Sequence, residues 1–137
     1  MTAPLAFLDT NILLRHLVGE PPDQARKASA LMLRIEQGEV RVRLTDAVVF
    51  ETVLTLQRYY NRQPAELRDA LLPLLELPGV LLPGKRRLRP AFTLYVDSHL
   101  PFADAYHAAL LHDLRITTVY SFDPHFDRIA GLTRIEP

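Results

Sequence analysis

Hydrophobic positions along this chain switch repeatedly between the periods of strand and helix. The run Leu5 to Leu8 is continuously apolar, halts at Asp9-Thr10-Asn11, and resumes at Ile12 with helical spacing. This predicts a buried strand followed by a short helix from about Asn11. A longer helix opens at Pro21-Pro22 and runs to Gln37, where Gly38 ends it. "VRVRL", Val40 to Leu44, alternates as a strand, and Thr45-Asp46 caps a helix reaching about Tyr60.

Pro64 begins the next helix, with a kink expected near Pro73, and Gly79 to Leu82 reads as a strand. Arg87 to Asp97 and Phe102 to Asp113 have helical patterning. Thr117 to Tyr120 is a β-branched strand, and a last short strand is expected around Leu132 to Arg134. Strands separated by helices imply an α/β fold whose sheet is mainly parallel and covered on both faces. A chain of 137 residues is the size of one domain, so 1–137 reads as a single unit.

Composition narrows the chemistry. With no cysteine, disulfides, thiolate metal sites and cysteine nucleophiles are excluded, and any metal must sit on oxygen or imidazole. No apolar stretch approaches the ~20 residues of a membrane span, and no secretion signal opens the chain. The expected address is therefore the cytoplasm, with no membrane partner. Sixteen basic residues balance sixteen acidic ones, so binding to a polyanion would have to be local. Lys85, Arg86, Arg87 and Arg89 cluster in "GKRRLRP", and Arg15 lies a turn beyond Asp9. These are candidate RNA-backbone contacts, against the alternative of a solvated loop.

Four acids occupy positions that invite chemistry. Asp9 and Asp123 each follow a predicted strand, and the carboxyl ends of parallel strands line the ligand crevice of α/β sheets. Both also read as helix N-caps, Asp123 with Pro124 at the first helical position. Glu51 lies in "AVVFETVLTL", apolar nearly all round, where a carboxylate should be partly desolvated and in need of a partner. Asp104 falls in the first turn of a helix, where the macrodipole favours an acid. Asp127 reads as a solvated helix residue. Convergence of such carboxylates demands a cation, and an all-oxygen donor set selects Mg²⁺ or Mn²⁺. The chemistry served by such a site is phosphodiester hydrolysis.

"FLDTN", "VVFETV", "FADAYHAAL" and "SFDPHF", in that order, resemble the motifs of PIN-domain ribonucleases, and most of all the VapC-type toxins of bacterial toxin-antitoxin pairs. The resemblance implies a PIN-like three-layer sandwich, a central mainly parallel sheet flanked by helices. It implies an endoribonuclease whose Mg²⁺ (or Mn²⁺) is held by Asp9, Glu51, Asp104 and Asp123. Thr10, Asn11 and Ser121 fall at the family's polar helper positions. An RNA substrate, a cognate antitoxin and a homodimer follow as expectations. The five histidines, including His107 and His125, stay outside the expected ligand set. The rival reading is a non-catalytic PIN-fold module that binds RNA or protein and uses the acids as caps and ion pairs. A phosphoaspartate receiver fits worse, because no second aspartate follows Asp9 closely.

Overall fold

The computed structural model describes residues 5–137. The chain divides into two compact units, the first ending at Lys85 and the second running from Arg86 to Pro137. Among the described residues, every strand pairing in both is parallel.

The first unit contains β1 (Leu5–Phe7), α1 (Thr10–Val18), α2 (Pro22–Glu36), β2 (Arg41–Arg43), α3 (Asp46–Tyr59), α4 (Pro64–Leu75) and β3 (Val80–Leu81). Its sheet has the order β1-β2-β3, with Ala6 opposite Val42 and Val42 opposite Val80. Each parallel neighbour is reached through a pair of helices, as a crossover requires. Leu8, Leu13, Met32, Ile35, Val42, Val49, Val53, Leu67, Leu71 and Val80 form its core.

Local chemistry sets the boundaries. The Val48 N–H donates to Thr45 Oγ1 at the start of α3, and Gly19, with φ +82°, closes α1 through a bond from its N–H to the Arg15 carbonyl. A Cβ at Gly79 would lie 3.0 Å from the Ile35 carbonyl oxygen and 3.2 Å from that of Val40, so a side chain there would crowd the backbone on both sides. Pro73 sits in the last turn of α4, so the helix continues through it to Leu75.

The expected strand at Leu5 is present, but it is not buried. Leu5 and Phe7 are exposed and only Leu8, just past its end, is enclosed. β1 is an edge strand of the three-stranded sheet, which leaves its residues with less cover than a central strand has.

The second unit consists of a 3-10 turn at Lys85–Arg87 leading into α5 (Leu88–Asp97), then α6 (Phe102–Asp113), β4 (Thr118–Tyr120), a second 3-10 turn at Pro124–Arg128, and β5 (Thr133–Ile135). β4 and β5 pair with Thr118 opposite Thr133. Phe92, Tyr95 and Phe102 make an aromatic core, with ring centroids 4.9 Å apart for Phe92 and Phe102 and 5.3 Å for Tyr95 and Phe102. Burial pushes the Tyr95 phenol above its ordinary range. Among the described residues, the strands thus fall into a three-stranded and a two-stranded sheet. Among the described residues, no helix is long and apolar enough to cross a membrane.

Candidate functional site

In the first unit, Asp9 occupies the N-cap position of α1 with extended backbone, φ −81° and ψ 155°, yet its side chain makes no capping hydrogen bond. The helix is started by the backbone, with the Ile12 N–H donating to the Asp9 carbonyl. Capping therefore leaves the exposed Asp9 carboxylate unexplained. Thr10, next along, is only 4% exposed. Its hydroxyl donates to Glu51 Oε2 at 3.0 Å, which ties the start of α1 to the middle of α3.

Glu51 itself is exposed, contrary to the desolvation expected for it. The buried side chains of α3 are Val48, Val49, Thr52, Val53 and Leu56. At about 100° per residue, position 51 lies well outside that stripe. Ala47 and Leu54, which make its surroundings look apolar in sequence, are exposed as well. Burial does not force a partner on this carboxylate. The bond from Thr10 orients it.

In the second unit, Asp104 lies in the first turn of α6 with its side chain 17% exposed. Asp123 caps the 3-10 turn at Pro124, accepting the His125 backbone N–H at 2.9 Å. The Asp123 N–H donates in turn to Ser121 Oγ at 2.9 Å. The N–H bond from His125, followed by the charge and side-chain bonds around it, holds the Asp123 carboxyl below its usual range. The capping role expected of Asp123 is thus observed.

The residue that was not expected is His125. Its Nδ1 lies 3.0 Å from Asp104 Oδ2 and 3.0 Å from Asp123 Oδ1. Asp104, Asp123 and His125 each offer one donor atom, all within 4.8 Å of one another. A signal for this is readable in "DPH": a capping carboxylate bonds the N–H two residues on, which draws the side chain of that residue toward the cap. Of the other histidines, His16 bonds Ser29 Oγ at 2.7 Å and its imidazole pKa is lowered by burial, while His99, His107 and His112 are exposed.

Asp127 stands apart, gripped by Arg134 in a two-pronged contact of 2.9 and 3.0 Å that lowers its pKa. Asn11 is exposed. The candidate RNA-binding cations are partly committed elsewhere. Lys85 Nζ donates to the Leu77 and Val80 carbonyls at 2.6 and 2.7 Å, Arg86 and Arg87 share Asp113, and Arg15 Nε donates to Gln24 Oε1 at 2.7 Å. Arg89 is exposed on α5. The hydrogen bonds from Arg87 and then Arg86 hold the Asp113 carboxyl low.

Two carboxylates and an imidazole nitrogen suit a divalent cation that prefers oxygen and tolerates nitrogen, so the second-unit residues fit a metal. The PIN domain sequence profile matches residues 6–132, across both units, and the chain belongs to the PIN domain family. PIN domains are nuclease-type domains and typically depend on a divalent metal. No curated protein matches the chain at a significant level.

Proposed function

We propose that the protein is a metal-dependent endoribonuclease, with Asp9, Glu51, Asp104 and Asp123 as its acids and Mg²⁺ or Mn²⁺ as its cofactor. The observation that carries this reading is the meeting of Asp104 and Asp123, from separate elements, at one imidazole nitrogen. Asp104 and Asp123 would help hold the divalent ion, which would supply activation of the attacking water and charge stabilisation at phosphorus.

The chain's own residues hold the acids ready. Thr10 orients the Glu51 carboxylate, Ser121 restrains the backbone of Asp123, and the Asp9 side chain is not consumed by a cap. Lys85, Arg86, Arg87, Arg89 and Arg15 are the proposed contacts to the RNA backbone. Exposed Arg89 and the outer face of Arg86, 74% exposed, are best suited to it.

We assign the protein further to the VapC-type toxins, cytoplasmic, dimeric and neutralised by a cognate antitoxin, on the strength of the ordered motifs. The test is direct. Purified protein with single-stranded RNA and Mn²⁺ or Mg²⁺ is expected to cleave, and Asp104→Asn is expected to abolish the cleavage. Tight RNA binding without cleavage in the wild type would favour the rival binding module. Growth arrest on expression, relieved by co-expressing the product of an adjacent small reading frame, tests the toxin assignment separately.

A further inference from the structure

We propose that His125 is itself a metal ligand, through Nδ1, and that this nitrogen makes the second-unit centre prefer Mn²⁺ over Mg²⁺. The inference rests on the metal-dependent reading above. It changes the expected ligand set from carboxylates to carboxylates plus imidazole.

The geometry supports it in three ways. Nδ1 faces Asp104 Oδ2 at 3.0 Å and both Asp123 oxygens at 3.0 and 3.2 Å. A neutral imidazole carries at most one proton on Nδ1, too few to serve two carboxylates well. The same spacing is what adjacent ligands of an octahedral ion adopt, since donors about 2.1 Å from the centre and at right angles stand about 3.0 Å apart.

Second, the ring is held in place. Pro124 has a fixed φ, and the His125 N–H is bonded to Asp123 Oδ1, so the imidazole and the capping carboxylate stay together. Third, His125 and Asp123 remain partly open, 41% and 37% exposed, which leaves room for water or phosphate oxygens to complete the shell. Mg²⁺ demands near-ideal octahedral oxygen coordination, whereas Mn²⁺ accepts imidazole at little loss, so nitrogen donation divides the two ions.

The experiment loads the full-length protein with Mn²⁺ and records its electron spin echo. A ¹⁴N modulation from a directly bound imidazole is expected in the wild type and in His107→Ala, and is expected to vanish in His125→Ala. In parallel, titration with each ion alone should show His125→Ala weakening Mn²⁺ at least tenfold and Mg²⁺ less than threefold. Wild-type protein that binds Mn²⁺ without the ¹⁴N modulation overturns the inference and leaves the metal-dependent reading standing. Equal losses for the two ions overturn the preference for Mn²⁺ that the nitrogen is inferred to confer. Failure of the wild type to take up either ion sinks both readings, and needs no variant to fold.

Discussion

The two units present their acids in different ways. In the second, Asp123 is clamped from three directions, by the His125 N–H, the His125 ring and, through its own backbone, Ser121. Asp104 shares the same ring. In the first, among the described residues, Glu51 is oriented by the Thr10 hydroxyl and the Asp9 carboxylate makes no capping bond. Among the described residues, one pair is preorganised by several hydrogen bonds, and in the other the Thr10 bond to Glu51 is the restraint seen. Carboxylates that are not consumed by structure are the ones whose removal should cost function without costing fold.

That contrast can be broken most sharply at Asp9. Asp9→Asn should reduce metal-dependent RNA cleavage by at least about 10²-fold, while the melting temperature stays unchanged, because no cap bond is lost. Asp123→Ala should lower both activity and melting temperature, whereas Asp123→Asn, which keeps an acceptor for the cap, should lower activity with a smaller loss of melting temperature. Cleavage assays beside thermal melts decide the matter, and a destabilised Asp9→Asn would erase the distinction between the units.

Next in size is Lys85, whose ammonium serves the fold of the first unit by binding two carbonyls. Lys85→Met should destabilise by about 1–3 kcal/mol, the usual cost of stranding partly buried acceptors, as read from the urea midpoint. A variant that kept full stability yet lost RNA affinity would show that this lysine works mainly as a backbone contact.

Thr10→Val tests the single restraint on Glu51. Removing the hydroxyl should lower cleavage at limiting metal by roughly tenfold, with stability changed by less than about 1 kcal/mol. Thr10→Ser should restore the rate.

The smallest effect is on acid stability, and it differs between the units. His16, in the first, has its imidazole pKa lowered by burial. Its folded pKa lies below its unfolded one, so it contributes full stability above about pH 6.5 and loses it as the pH falls. Asp113, Asp123 and Asp127, in the second, are held low by the hydrogen bonds they accept. Their contribution persists above the ordinary carboxyl range and fades only as the pH drops below about 4. Hydrogen exchange across an acid series should therefore loosen the first unit earlier, and His16→Gln should remove that early step.

Element type was readable because local rules operate over a few residues. Pro22, Thr45, Pro64 and Pro124 start their helical segments where cap and proline preferences put them, and α6 has the bounds that its apolar spacing predicts. The candidate site was readable less evenly. Asp9 and Asp123 follow strands as expected, but Glu51 is exposed where its sequence neighbours predict desolvation, because apolar neighbours in sequence need not be buried neighbours in space. Lys85 looks like a free cation in "GKRR" and is engaged by the carbonyls of Leu77 and Val80.

Alternation of apolar runs with caps and breakers determined the α/β class, the parallel pairing and the order of the motif acids, since these depend on periodicity and backbone preference. Which side chains meet was decided by packing. Only when α6 and the turn after β4 come together does the Asp104 carboxylate reach the His125 ring, a contact across 21 residues of chain that no local spacing encodes.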